Sequence, residues 1–316
     1  MYELPKRKHL VHKAIEPRNL SAKAATVVAS RKPADEYWEI KYDGCMTILV
    51  KAGGKAYAFS RQGEPVAGAM DRQLAALEAV AMDDFVVFAE AWSPNLIHSD
   101  INGDFRRGHK LGDERRLIAV MFDMVTLQEF NEGKTDGHPS NTFEYRTLDL
   151  INLLQQLIDV GTEKANLFDL AVQRDTKEEC ANVVELRRSQ GQIFPIDGFM
   201  RKAKNGYWVA GAGACGSSLK DKELLVVDLE VTGLVEGEGK FTGMLGAYDC
   251  LYKGKPQRVG GGSLKDSERK AIWADKTRAE GGIGSIIEVH ALAESTNGLL
   301  REPRFARFRT DKKEGE

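Results

Sequence analysis

Residues 39–44 read EIKYDG, and this stretch decides how the rest of the chain is interpreted. Aromatic residues precede it at Tyr37 and Trp38, and alternating apolar residues follow it at Ile48 and Val50. The pattern predicts a strand, a tight turn at the Asp-Gly pair and a second strand. A lysine beside such a turn is held on rigid backbone. Because a lysine ammonium normally has a pKa of about 10.4, it becomes a nucleophile only where burial or nearby cations favour the neutral amine.

Further short motifs follow this lysine in a definite order. They are SRQG at 60–63, FAE at 88–90, VMFD at 120–123, DGFMRK at 197–202, KDK at 220–222 and REPRFARFRTDK at 301–312. A K-x-D-G tetrapeptide alone is weak evidence, since most such strings are solvated hairpin turns. The whole series, which ends in a basic stretch, is specific.

These motifs make the chain resemble the covalent nucleotidyltransferases, and most closely the compact ATP-dependent DNA ligases of phages and viruses. The resemblance runs from about residue 35 to residue 313. It implies an α+β fold, with an ATP-grasp-like nucleotidyltransferase domain built on antiparallel sheets and a small OB-fold β-barrel domain after it. It also implies ATP and Mg²⁺ (or Mn²⁺) as cofactors, and nicked double-stranded DNA as the partner of a monomeric enzyme.

The first two segments of the chain differ in charge and in the spacing of their apolar residues. Residues 1–34 are basic and lack a sustained apolar period, which predicts an irregular arm with one short helix. Residues 35–225 are expected to form the nucleotidyltransferase domain, with helices at 71–80, 145–160 and 176–189. Thr176 and Glu179 form a capping box that predicts where the last of these helices begins.

The remaining residues, 226–316, predict a second domain. Short strands are expected at 229–234, 243–252 and 285–291, with one helix at 266–273. This order suits a five-stranded OB-type barrel. The turn at 233–240 is too short to carry a DNA-encircling latch of the kind found in some viral relatives.

Composition narrows the class of protein without deciding it. The 316 residues carry a formal net charge of −2, so the chain as a whole does not have the charge of a nucleic-acid binder. Basic residues instead cluster locally, at 6–8, 106–110, 115–116, 187–188 and the C-terminus. The four cysteines are far apart, which argues against a disulfide framework and a zinc knuckle. With no apolar signal region and no membrane-length apolar run, a reduced cytoplasmic location is expected.

The resemblance assigns the nucleotide-binding roles. Lys41 would attack the α-phosphate of ATP and carry AMP as a phosphoramidate. Glu39 lies where the family contacts the adenine edge, by side chain or backbone, and Phe122 lies where relatives stack a ring on adenine. Glu90 lies where relatives bind the ribose hydroxyls.

Phosphate and metal contacts follow from the same resemblance. Lys220 and Lys222 alternate with Asp221, so on a strand both ammoniums would share one face and bind the α-phosphate. Magnesium binds phosphate oxygens together with one or two carboxylates, and Asp197 and Glu90 are the candidates.

The remaining assignments concern DNA and pyrophosphate. Arg61 matches the position that holds the 5′-phosphate at a nick, a contact suited to a planar guanidinium. With Arg106 and Arg107 it is expected to bind DNA. In relatives the terminal motif, here Arg309, Asp311 and Lys312, orients the pyrophosphate leaving group.

The sequence departs from the family pattern at three positions. Met46 replaces the arginine usually found five residues after the lysine. Asp197 replaces a glutamate and is one methylene shorter, and Ala89 stands where glycine is common. These changes bear on catalytic efficiency more than on the reaction class.

Other readings of the motifs remain open. An mRNA capping guanylyltransferase also combines K-x-D-G with a barrel, and an RNA ligase uses the same lysine chemistry. The R-x-P-R-F stretch favours DNA ligase over both. An NAD-dependent ligase needs an extra N-terminal domain and a four-cysteine zinc site, neither of which fits. A catalytically inactive nick-binding module is the alternative from another functional class.

Overall fold

The structure is a computed structural model that describes residues 2–66, 68–107, 117–211, 213–222, 224–292, 294–295, 297–312 and 315. The chain divides into two compact units, Met1–Asp221 and Lys222–Glu316. The predicted boundary, between residues 225 and 226, falls instead inside the first strand of unit 2. The basic residues Lys110, Arg115 and Arg116 lie outside the described residues.

Unit 1 combines helices with two β-sheets. Its helices are α1 (Ala22–Ala29), α2 (Asp71–Ala79), α3 (His98–Arg107), α4 (Leu127–Glu132), α5 (Phe143–Val160), α6 (Thr162–Ala165) and α7 (Lys177–Ser189). Its strands are β1 (Glu36–Tyr42), β2 (Cys45–Ala52), β3 (Lys55–Ser60), β4 (Phe85–Trp92), β5 (Ile118–Thr126), β6 (Phe168–Leu170), β7 (Gln173–Arg174), β8 (Ile196–Ala203) and β9 (Ser218–Asp221). The helices predicted at 71–80, 145–160 and 176–189 are confirmed as α2, α5 and α7.

The two sheets have different topologies. One sheet has the order β7-β1-β8-β9, with antiparallel neighbours throughout. The other has the order β3-β2-β4-β5-β6, and its β5–β6 pair is parallel. The predicted antiparallel sheets are confirmed, and β5–β6 is a parallel pair at the edge of one of them. Helices α4 to α6 lie between β5 and β6 in sequence and supply the crossover that a parallel pair requires.

The five-stranded sheet is covered on both faces, which explains its nearly continuous apolar strands. On β2, Leu49 faces the large core, to which Ile40 and Phe199 of the other sheet also contribute. Its neighbours Ile48 and Val50 face a second core on the opposite side. Adjacent strand residues point to opposite faces, so neither side tolerates a polar residue without a partner.

The N-terminal segment covers the second of these faces. Leu10 and Val11 are buried there against Phe130 and Trp208. The guanidinium of Arg7 lies 4.9 Å from the Phe130 ring centroid. The segment expected to be an irregular basic arm thus belongs to unit 1 and helps to form its core, and its one α-helix is α1.

Unit 2 is a closed five-stranded barrel. Its elements are β10 (Leu225–Glu236), β11 (Leu245–Tyr252), β12 (Lys255–Gly260), α8 (Asp266–Ala274), β13 (Ile286–Ala291) and β14 (Arg304–Phe308). The strands close in the order β10-β11-β12-β14-β13, and only one residue pair, Gly260 with Arg304, links β12 to β14. The sequence did not predict β12 or β14, because both are short, charged and weakly alternating.

A hydrogen-bonded relay joins the N-terminal segment to the loop before β9. The Sγ atom of Cys215 lies 3.0 Å from Oγ of Ser217, which lies 3.0 Å from Nε2 of His12. Hydrogen bonding to His12 and Ser217 lowers the pKa of the exposed Cys215 thiol to about 6. Burial instead raises the pKa of the Cys45 and Cys180 thiols to about 11, and that of Cys250 to about 12.

We therefore expect iodoacetamide at pH 7 to modify Cys215 well before the other three cysteines, because the thiolate is the reacting form. The rate measured by mass spectrometry should rise with a midpoint near pH 6. A His12→Ala variant should move this midpoint to higher pH. Equal modification of Cys215 and Cys45 at pH 7 would contradict the relay.

Candidate active site

Lys41 lies opposite a bulge between two strands. Ile40 of β1 pairs with Phe199 of β8 and Tyr42 pairs with Ile196, so Lys41 alone faces both Asp197 and Gly198. Gly198 has φ +90°, a conformation that residues with a side chain rarely adopt. Such bulges redirect neighbouring side chains and recur beside active sites.

The bulge brings the Asp197 carboxylate to the lysine. The Nζ atom of Lys41 donates a hydrogen bond of 2.6 Å to Oδ2 of Asp197. The side chain of Lys41 is 29% exposed and that of Asp197 is 15% exposed, so both are accessible to a ligand while held by the sheet. Asp197, although one methylene shorter than the glutamate of the family pattern, reaches the lysine directly.

The turn after Lys41 packs against the end of β4. A Cβ atom on Gly44 would lie 2.5 Å from the carbonyl oxygen of Ala91 and 2.8 Å from Cγ of Glu90, so only glycine fits. The Gly44 amide donates a 3.2 Å hydrogen bond to Oε1 of Glu90. The glycine of K-x-D-G is thus required because another strand approaches it closely.

Glu90 is an acid near Lys41 whose pKa is strongly raised. Burial raises the pKa of its carboxyl to about 7, although the Lys41 ammonium and the Gly44 amide both lower it. Met46 lies directly across from Glu90 in the β2–β4 pairing. The position where the family pattern has an arginine therefore adjoins this carboxyl, and methionine leaves burial as the dominant influence.

A second group of side chains surrounds Lys202 of β8. Its Nζ lies 2.5 Å from Oε2 of Glu39 and 5.0 Å from the Phe122 ring centroid. The same nitrogen lies 4.6 Å from the Phe143 ring centroid. Gln173 donates a 3.0 Å hydrogen bond to the other carboxylate oxygen of Glu39. Burial raises the pKa of Glu39, whose residue is only 2% exposed.

The carboxylate of Glu39 is therefore bonded inside unit 1. The adenine contact was predicted to use either the side chain or the backbone of Glu39. A contact through the side chain would require Lys202 or Gln173 to give way. Phe122 is only partly buried and packs against both cores of unit 1.

The predicted pair of phosphate-binding lysines is divided by the end of a strand. Lys220 lies on β9, and its Nζ is 3.9 Å from Oε1 of Glu16. The strand ends at Asp221, and Lys222 belongs to unit 2. The expectation assumed that both lysines lie on one strand, and this assumption is wrong because Lys222 lies beyond the end of β9. That either lysine binds phosphate stays a prediction.

The predicted DNA-contacting arginines lie on the surface of unit 1. Arg61 is exposed in the turn after β3, where the Gly63 amide bonds the Ser60 carbonyl at 2.9 Å. Arg106 and Arg107 are exposed in the last turn of α3. All three guanidiniums are therefore accessible to a polyanion.

The terminal motif is held within unit 2. Arg309 donates two hydrogen bonds to Asp228, at 2.9 and 2.7 Å, and its other nitrogens bond Asp311. Lys312 also contacts Asp228. The pKa of the Arg309 guanidinium is raised by its bonds to Asp311 and Asp228.

Comparison with known proteins identifies the fold. Residues 236–309 match the family model of the DNA ligase OB-like domain. The solved structure Pmar-Lig_PreS3 superimposes with a TM-score of 0.72 at 22% identity, over 95% of this chain and 68% of that one. A Lig E DNA ligase, described as binding DNA with a minimal scaffold, gives 0.66 at 17% identity, covering 98% and 100% of the two chains.

A third solved structure is the ATP-dependent DNA ligase of bacteriophage T7 in complex with ATP. It gives a TM-score of 0.52 at 16% identity and covers 96% of this chain and 99% of that one. The chain has the fold of a compact ATP-dependent DNA ligase. No curated protein sequence matches it significantly. Within the described residues, no helix has both the length and the apolar character of a membrane span.

On this ligase fold, unit 1 brings together most of the predicted nucleotide-site residues. Lys41 bonds Asp197 and lies close enough to Glu90 to lower its pKa, and Glu39 and Phe122 adjoin Lys202. Sequence analysis missed His98, whose Nδ1 lies 3.1 Å from Oδ1 of Asp43 in the K-x-D-G turn. It also gave no individual role to Lys202 or to Asp228.

The donors around Lys41 fit a metal that arrives with a nucleotide. No cluster of three or more His, Cys, Asp or Glu side chains able to hold a metal occurs among the described residues of this ligase fold. Asp197 and Glu90 supply two carboxylates beside Lys41. Because Mg²⁺ commonly uses one or two carboxylates together with phosphate oxygens and water, the pair is sufficient.

The raised pKa of Glu90 predicts a pH-dependent stability. A carboxyl that binds its proton more tightly in the folded state stabilises the fold at low pH. This contribution declines as pH rises from about 4.5, the ordinary value, to about 7. Over that interval the wild type should lose on the order of 1–3 kcal/mol of unfolding free energy relative to Glu90→Gln.

The measurement is urea unfolding followed by tryptophan fluorescence at several pH values between 4.5 and 8. The exposed Glu185 of α7 provides the control, and Glu185→Gln should keep the wild-type pH dependence. If Glu90→Gln and wild type respond to pH identically, the carboxyl is not perturbed as described.

Proposed function

We propose that this protein is an ATP-dependent DNA ligase that seals nicks in duplex DNA through a covalent lysyl-AMP intermediate on Lys41. The main support is the position of Lys41 on the ligase fold, partly exposed and 2.6 Å from Asp197 at the end of β1. The lysine is fixed by a bulge on one side and by the glycine turn on the other. A nucleophile held in this way needs little reorganisation before attack.

In the first step the Lys41 amine attacks the α-phosphate of ATP. A P–N bond forms, the bond to pyrophosphate breaks, and the ammonium proton has to leave before attack. The 5′-phosphate of a nick then displaces the lysine and forms a P–O bond to AMP. Finally the 3′-hydroxyl attacks that activated phosphate and AMP leaves. Each step depends on in-line positioning and on neutralisation of phosphoryl charge.

The chain's own residues would divide this work as follows. Asp197 holds Lys41 in place, and Lys220 is the candidate cation for the α-phosphate. Phe122 offers a ring face to the base, while Glu90 accepts a hydrogen bond from ribose more readily as it ionises near neutral pH. A bound Mg²⁺ at Asp197 and Glu90 would neutralise negative charge on the phosphate oxygens.

Exposed guanidinium groups would bind DNA through its phosphates. Arg61 is proposed for the 5′-phosphate at the nick, and Arg106 and Arg107 for the flanking backbone. Lys222, Arg309 and Lys312 of unit 2 are proposed to act on the triphosphate, as the resemblance implies. We expect the enzyme to act as a monomer in a cytoplasmic compartment.

Incubation with Mg²⁺ and α-labelled ATP should transfer label to the wild-type protein, and Lys41→Ala should abolish it. Lys55→Ala, which removes an exposed lysine at the start of β3, is the matched control and should be labelled normally. Label persisting in Lys41→Ala would remove the nucleophile assignment. Label from GTP instead of ATP would favour a capping enzyme, and no label on the wild type would favour a nick-binding module.

Nick affinity should depend strongly on salt, because each phosphate contact releases condensed counterions. Arg106→Ala should weaken binding and reduce the slope of log K against log salt by roughly 0.9, the value for one lost contact. Arg187→Ala, which removes an exposed arginine from α7, should leave both unchanged. Fluorescence anisotropy with a nicked duplex between 50 and 200 mM salt (roughly the range over which such contacts weaken) measures the slope. A flat profile for the wild type would exclude phosphate-dominated binding.

A further inference from the structure

The barrel carries two buried carboxylates on adjacent strands. Asp228 of β10 is 4% exposed and Glu288 of β13 is 8% exposed. They are direct cross-strand partners in the antiparallel pairing of these strands. Two like charges placed opposite each other destabilise a sheet unless cations compensate them.

The C-terminal segment supplies those cations. Arg309 bonds both oxygens of Asp228, and Lys312 contacts one of them. Arg307 lies 2.6 Å from Glu288, and Arg309 lies 3.7 Å from the same carboxylate. Strand β14 and the residues after it are thus attached to the barrel by charge as well as by backbone pairing.

The contacts at Asp228 restrict the position of Arg309 as well as balancing charge. One terminal nitrogen of Arg309, Nη1, bonds both oxygens of Asp228, while Nε and Nη2 form a paired contact with Asp311. The guanidinium is therefore held on two sides, which restricts both its position and its rotation. Asp311, the other partner of Arg309, is 63% exposed and is a weaker anchor in water. Asp228 is the only buried carboxylate described here that contacts both Arg309 and Lys312.

We propose that Asp228 is a positioning residue for the adenylation step, because it orients Arg309 and Lys312 toward the leaving pyrophosphate. The inference rests on the proposed function, in which these two side chains act on the triphosphate. Asp228 itself would touch neither ATP nor DNA. It would act by holding the two cations in one arrangement before ATP binds.

The test separates adenylation from sealing. Asp228→Asn keeps the size of the side chain, removes its charge and weakens its contacts with Arg309 and Lys312. Single-turnover transfer of label from ATP to Lys41 should slow about 10- to 100-fold, the range for losing a charge-assisted bond. Sealing of a nick that already carries AMP on its 5′-phosphate bypasses this step and should fall by less than about 3-fold.

Two further variants distinguish positioning from general damage. Glu230→Gln alters an exposed acid on the same face of β10 and should match wild type in both assays. Asp228→Glu keeps the charge but displaces it by a methylene, so it should slow adenylation while leaving sealing of the pre-adenylated nick intact. This variant carries the test if Asp228→Asn fails to fold.

The outcomes are separable. If the wild type takes no label from ATP, the proposed function fails. If the wild type is labelled and Asp228→Asn is labelled at the same rate, only the positioning role fails. Faster labelling in Asp228→Asn would show that Asp228 hinders the action of Arg309 and Lys312 in adenylation. This result would also overturn the inference. Equal loss in both assays for Asp228→Glu would indicate a merely structural role.

Discussion

The pairing of β1 with β8 is the constraint on which the candidate site depends. One residue of β1, Lys41, faces two residues of β8, and Gly198 absorbs the difference with a left-handed backbone. Without this bulge, strand alternation would put Asp197 at a different angle to Lys41. The 2.6 Å contact between their side chains is therefore a consequence of backbone geometry. The neighbouring glycine turn adds a second constraint, because the approach of β4 leaves no room for a side chain at Gly44.

The departures from the family pattern are physically connected to this arrangement. Met46 lies across from Glu90, so the cation expected at that position would have lowered the pKa of a nearby carboxyl. With methionine there, burial dominates and the pKa of Glu90 rises to about 7. The replacement of glutamate by Asp197 has no such effect, since the shorter side chain still bonds Lys41. One substitution therefore changes the electrostatics of the site, while the other leaves its main contact in place.

Local sequence signals predicted the parts of the structure that depend on neighbouring residues. The strand, turn and second strand around Lys41, the apolar strand before Glu90 and the capped start of α7 all follow from patterns within a few residues. The sequence did not show that the two strands beside Lys41, β1 and β2, belong to different sheets. The parts that depend on distant pairing were not predicted. Strand β14 is stabilised by β13 and β12, His98 meets Asp43 only in the folded chain, and the end of β9 before Lys222 is set by pairing with β8. The N-terminal segment looked irregular because its buried residues, Leu10, Val11 and Ala24, have no regular spacing along the chain.

Lys41 of unit 1 and Arg309 of unit 2 differ in their exposure and in the carboxylates with which they pair. In unit 1, Lys41 is paired with a single carboxylate and remains partly exposed, so a phosphate can compete for its charge. In unit 2, Arg309 is only 13% exposed and is paired with Asp228 and Asp311. A cation already bonded to carboxylates, one of them buried, loses less conformational entropy on meeting a polyanion, since its rotamer is set beforehand. Its net attraction for that polyanion is reduced by the same carboxylates. A balance of this kind suits the proposed role of the motif, in which it binds a leaving group in one step and releases it before the next.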